Sequence, residues 1–115
     1  MKKFDSTLYF ITDSTDFSDE EFLYRIEEAL KGGATLIQLR EKDKTTREYI
    51  TLAEKVHTLT QKYNIPLIID DRIDVAMAIE AEGVHLGQSD MPISTARKIL
   101  GNNVIIGATA KTVLK

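Results

Sequence analysis

A chain of 115 residues with a formal net charge of −3 and no cysteine has room for one small domain or part of a larger one, since single domains commonly run to roughly 100–150 residues. Its 15 Lys and Arg are interspersed with 18 Asp and Glu, so no basic stripe tracks a phosphate backbone and nucleic acid is not an expected partner. Absence of cysteine excludes disulfides and thiolate metal sites, and neither a signal-like opening nor an apolar run near the roughly 20 residues of a bilayer span is present; a cytoplasmic protein with no membrane partner is expected.

Leu8-Tyr9-Phe10-Ile11-Thr12 is short, aromatic and β-branched, and predicts a first strand. Ser18 and Glu21 have capping-box spacing, and Phe22, Ile26, Ala29 and Leu30 then recur with helical period until Gly32-Gly33. A second strand follows at about Thr35 to Leu39. Thr45 and Glu48 form a second capping box, opening a helix with the apolar stripe Tyr49, Leu52, Ala53, Val56 and Leu59, closed near Asn64 with Pro66 beyond. Leu67 to Ile69 is the third strand. Ile73 to Ala81 is a short helix with Gly83 as its stop, and Val84 to Leu86 is the fourth strand. Pro92 starts a helix carrying Ile93, Ala96, Ile99 and Leu100 up to Gly101. Val104 to Ala108 is the fifth strand, and Thr112 onward reads as a helix cut short.

Strands alternating with helices imply right-handed βαβ units, a parallel sheet and ligands at the carboxyl ends of the strands. Five strands suit either a small doubly wound sheet or a little over half of an eightfold barrel. The βα units recur every roughly 20 to 30 residues, the spacing of a parallel barrel. No linker or low-complexity tract divides the chain, so residues 1–115 read as one domain.

The polar residues fall where apolar runs stop. Strand period two puts Leu36, Gln38 and Arg40 on one face, with Lys42 two further on. Two cations at a strand end suit an anion with several oxygens, Arg as a planar fork and Lys as a point charge; alone they are also what a solvated loop looks like. Asp70, Asp71 and Asp90 are candidates for a hard divalent cation, since Mg²⁺ typically takes one or two carboxylates plus phosphate oxygens and water. Adjacent acids in a turn are common without metal. Arg72 and Asp74 read as support for the helix start or as partners of a neighbour. His85 lies in a strand facing away from Val84 and Leu86, as a core or supporting histidine. His57 falls near the solvent boundary of its helix, Met77 and Met91 read as packing, and Gly87 as a bend or a close approach to ligand. Cations after strand two, carboxylates after strands three and four, and Thr109 after strand five together form a site for a magnesium-bound diphosphate.

The segments Gln38-Leu39-Arg40-Glu41-Lys42, Asp71 to Ala76, Gly83 to Gln88 with Asp90 and Pro92, and Ile106-Gly107 before Thr109 together resemble the N-terminal part of the thiamine phosphate synthase family, which shares its fold with the thiazole tautomerases. The resemblance implies a (β/α)₈ TIM barrel, of which this chain would be a truncated portion, strands one to five. It implies the Mg²⁺-dependent coupling of hydroxymethylpyrimidine diphosphate with hydroxyethylthiazole phosphate to thiamine phosphate and pyrophosphate, a dissociative reaction in which diphosphate leaves first. By matching motifs, Gln38 would address the pyrimidine, Arg40 and Lys42 the diphosphate as the catalytic cations, Asp71 and Asp90 the metal, and Thr109 would be a small hydroxyl residue beside the pyrimidine. Asp70 stands where the family usually has Asn, a substrate-binding position; its charge is expected to be offset by Mg²⁺ or by Arg72. Strands six to eight, with the family's phosphate-binding loops, lie outside the sequence. The alternative is a thiazole tautomerase or a non-catalytic binding or regulatory protein of the same fold. The 115-residue chain alone is expected to be inactive and to self-associate.

Overall fold

A computed structural model of the chain describes residues 9–87 and 90–108. The elements follow in the order β1 (Tyr9–Thr12), α1 (Asp19–Lys31), β2 (Leu36–Leu39), α2 (Thr46–Lys62), β3 (Leu67–Asp70), α3 (Ile73–Ile79), β4 (Gly83–Leu86), α4 (Ile93–Leu100) and β5 (Ile105–Ala108). The helix expected from Thr112 lies outside the described residues.

All pairings are parallel, and the sheet runs β1-β2-β3-β4-β5. A doubly wound sheet reverses its winding at a switch point, which separates chain neighbours. Among the described residues every strand lies beside the next and the winding does not reverse, so the barrel-type alternative is the observed one. α1 packs on α2 and α2 on α3, one layer of helices over one face.

Strand alternation divides the sheet cleanly. Phe10, Ile37, Leu39, Leu67, Ile69, Val84, Leu86 and Ile106 face the helices and join one core with Phe22, Ile26, Leu30, Tyr49 and Val56. Each such apolar side chain, once buried, contributes about 1.5–3 kcal/mol. The opposite face carries Tyr9, Ile11, Leu36, Gln38, Ile68, Asp70 and His85, brought side by side by the register Ile11↔Gln38↔Ile68 and Asp70↔His85. Polarity thus increases toward the carboxyl ends.

Helix starts follow the capping signals. Ser18 Oγ accepts the Glu21 N–H at 3.1 Å, and Thr45 and Glu48 close a reciprocal box at 3.0 and 3.1 Å. Three expectations need correction. Gly83 is not the stop of α3: Glu80 ends it in a left-handed conformation at φ 56°, and Gly83 opens β4, where a Cβ would stand 2.6 Å from both Ile105 O and Ile68 Cδ1. His57 is not near solvent. Its helix lies between α1 and α3, so the buried stripe is wider than the sequence pattern marks, and His57 is buried with its Nε2 at 3.1 Å from the Glu82 carboxylate. That carboxylate also accepts the Leu67 N–H at 2.8 Å. Met91 does pack on the core, but Met77 is 51% exposed and, of the α4 stripe, only Ala96 is buried; α3 is too short to cover both.

Candidate active site

The ends of β1 to β4 surround a cavity of about 760 Å³. Gln38, on β2, is buried at its wall, and its side-chain amide donates to the hydroxyl of Tyr9 on β1. Burial raises the Tyr9 phenol above its ordinary value, against the opposing effect of the Gln38 bond. The chain continues past β2 with the Arg40 N–H still bonded to Thr12 O at 2.9 Å. Glu41 then turns aside, its carboxylate accepting the Ser14 N–H at 2.6 Å and the Ser14 hydroxyl at 3.0 Å. Arg40, Glu41 and Lys42 all line the cavity, Glu41 while gripping the β1–α1 loop.

Asp70 ends β3 between two cation-capable groups, with Arg40 Nε at 3.6 Å and His85 Nδ1 at 3.2 Å. The expectation that Arg72 offsets Asp70 fails. Arg72 bonds the Asp74 carboxylate at 2.7 and 3.0 Å and the Thr46 hydroxyl at 2.6 Å, and lies 5.9 Å over the Tyr49 ring. Asp74, at the start of α3, is held below the usual carboxylate range by that guanidinium. Arg40 and not Arg72 faces Asp70 because Arg40 continues the cavity-facing row of β2 while Arg72 lies beyond a turn.

That turn is unusual. The Arg72 N–H bonds Asp70 O at 2.7 Å, closing three residues around Asp71 at φ 67°. Three-residue turns with a positive central φ are rare and strained, and such strain concentrates at functional positions. It is held from the other side by the Asp71 N–H donating to His85 O at 2.7 Å. Past β4, the Gly87 N–H donates to Asp90 Oδ2 at 2.6 Å, and a Cβ on Gly87 would come within 3.2 Å of that oxygen. Asp90 is thereby folded back toward Asp71. Burial and the facing Asp90 carboxylate raise the Asp71 carboxyl above its ordinary value.

Two opposed carboxylates at adjacent strand ends are a donor set for a hard divalent cation that completes its shell with water and phosphate oxygens. No group of three or more His, Cys, Asp or Glu that could hold a metal occurs among the described residues. The structure brings together Gln38, Arg40, Lys42, Asp70, Asp71 and Asp90, while Thr109 lies outside the described residues. Sequence reasoning missed Tyr9, although alternation places it on the face of Gln38, and it missed the Ser14 to Glu41 grip, for which sequence carries no local signal.

The thiamine monophosphate synthase family pattern matches residues 8–115. A thiamine-phosphate synthase of Methanobrevibacter smithii is 51% identical over 113 residues, 98% of this chain and 54% of that protein. One of Clostridium novyi is 54% identical over 106 residues, 92% of this chain and 52% of that protein. Among solved structures, the thiamine phosphate pyrophosphorylase from Pyrococcus furiosus superposes with a TM-score of 0.81 at 44% identity, covering 90% of this chain and 49% of that one. The chain thus spans about half the length of the curated relatives it matches. With the singly wound sheet, this likeness makes the chain a member of the thiamine monophosphate synthase family.

Proposed function

We propose that the protein, at full length, joins hydroxymethylpyrimidine diphosphate to hydroxyethylthiazole phosphate, giving thiamine phosphate and pyrophosphate. One observation carries the reading: Arg40 and Lys42 share a cavity with the opposed Asp71 and Asp90, which suits a metal-bound diphosphate leaving group. The bond from the pyrimidine methylene carbon to the diphosphate oxygen breaks, and its electron pair leaves with the diphosphate. The thiazole nitrogen then bonds that carbon. Arg40 and Lys42 receive the charge developing on the departing oxygens, where preorganised charge counts most. Gln38, oriented by Tyr9, and Asp70 face the pyrimidine, and Thr109 would stand beside it. Asp71 and Asp90 would hold Mg²⁺, their mutual repulsion being what a divalent cation relieves; when bound it neutralises diphosphate charge.

Incubating the full-length protein with both precursors and Mg²⁺ should yield thiamine phosphate, and no product under conditions where a known synthase works would refute the assignment. A cytoplasmic location goes with this reading, since such phosphorylated precursors do not cross a bilayer unaided; no helix among the described residues is long and apolar enough to span one. As a single partial barrel domain, the 115-residue chain alone should be inactive and self-associate, because β1 and β5 are edge strands and Tyr9 and Ile11 stand 43% and 55% exposed. Light scattering coupled to size exclusion tests this, and a compact 13.0 kDa monomer would overturn it.

A further inference from the structure

Tyr49 touches none of the cavity, yet its hydroxyl lies behind both charged rims. It is fully buried on α2. The hydroxyl donates to Leu39 O at 2.9 Å, with Asp70 O at 3.5 Å as a second, longer acceptor. Leu39 directly precedes Arg40. Asp70 O is the carbonyl that accepts the Arg72 N–H and closes the turn holding Asp71 at φ 67°. One phenol therefore braces the backbone just before the first diphosphate-facing cation and reaches the strained turn that presents the first carboxylate. Its ring, under the Arg72 guanidinium, braces the far side of the same turn.

We propose that Tyr49 is a positioning residue that fixes the separation between Arg40 and Asp71, and so tunes the binding of a metal-bound diphosphate rather than of either component alone. This rests on the synthase reading above. Removing the hydroxyl loosens the two strand ends relative to each other while the ring still fills the core. Supports of this kind, bonded to binding groups and not to the ligand, typically change metal affinity about 10- to 100-fold when removed.

The test uses the full-length protein, with pyrophosphate and Mn²⁺ as probes. Titration of Mn²⁺ by electron paramagnetic resonance, with and without saturating pyrophosphate, is compared for wild type, Tyr49→Phe and Leu52→Ala. Leu52 is a buried core residue of the same helix, so its truncation controls for lost stability. Tyr49→Phe should weaken Mn²⁺ binding in the presence of pyrophosphate by about ten-fold, shift the Mg²⁺ concentration giving half-maximal activity by a similar factor, and leave binding of metal-free pyrophosphate unchanged. Leu52→Ala should move none of these. A folded Tyr49→Phe protein that binds Mn²⁺ and pyrophosphate like wild type overturns the proposal, as does an equal shift in Leu52→Ala. Should Tyr49→Phe not fold, wild type labelled with ¹³C at the tyrosine Cζ, its signals assigned through Phe replacements of the other tyrosines, decides the matter. The Tyr49 resonance should respond to Mn²⁺-free Mg²⁺ plus pyrophosphate and not to either alone; an unchanged signal refutes the role. Failure of wild type to bind Mg²⁺ and pyrophosphate together would instead sink the synthase reading itself.

Discussion

Arg40→Ala separates two things that the same side chain does. In the free protein its guanidinium faces Asp70 at 3.6 Å, but the side chain is 46% exposed, and an ion pair so placed is worth about 0–1 kcal/mol. Against a departing diphosphate the same charge acts as a preorganised stabiliser, and losing such a group costs about 2–4 kcal/mol of transition-state stabilisation, roughly 30- to 10³-fold in rate. The second term wins. Arg40→Ala should therefore lower kcat/KM for thiamine phosphate formation by that factor while leaving folding stability almost unchanged. Asp70→Asn, which removes a negative charge beside the diphosphate and returns an amide, should leave activity intact or raise it. The double variant should be no worse than Arg40→Ala, because Asp70 then has no guanidinium to hold. Steady-state kinetics of the full-length protein, with urea unfolding of each variant, supplies all these values. Arg40→Ala activity within three-fold of wild type would place the anion site elsewhere, and a collapse of activity in folded Asp70→Asn would give that carboxylate a role beyond partnering Arg40.

Lys42→Ala should resemble Arg40→Ala, reading out in the same assay, since both cations line the cavity. Gly83→Ala should destabilise by about 1–3 kcal/mol or prevent folding, because its Cβ would meet Ile105 O and Ile68 Cδ1 at 2.6 Å; urea midpoints measure it. Glu82→Ala should cost about 1–3 kcal/mol, as it strips the acceptor from the Leu67 N–H and from His57, with kcat unaffected where the protein remains folded. Arg72 lowers the Asp74 carboxyl, so the stability from that pair is present above the unfolded carboxylate value of about 3.9 and is lost as pH falls through the lower folded value. Asp74→Asn should cost about 0–1 kcal/mol at neutral pH and reduce the slope of stability against pH below about 4, followed by chemical denaturation from pH 6 to 2.5.

Much of this architecture was legible because its signals are local. The Ser18 and Thr45 caps mark helix starts to the residue, and the short apolar runs mark every strand to within a residue or two. Alternation along Leu36 to Arg40 was enough to put Gln38 and Arg40 on the cavity side. What escaped depends on contacts between segments distant in sequence. His57 looks like a boundary residue until α1 and α3 close over both flanks of α2, and Gly83 looks like punctuation until Ile105 and Ile68 press against it. Arg72 is nearer to Asp70 in sequence than Arg40 is, yet the turn at Asp71 sends its side chain to Asp74 and Thr46.

The strand order carries a consequence for how the protein reaches its fold. Since each strand pairs with the one before and after it in the chain, every new strand closes a loop only one helical unit long, and closure entropy grows slowly with such short increments. Contacts of low sequence separation favour rapid folding. Arg40, Asp71 and Asp90 belong to successive units, so the charged mouth of the cavity can assemble as β2, β3 and β4 add in turn. Substitutions in that stretch should then register in the refolding rate, and those at β1 or β5 chiefly in the rate of unfolding.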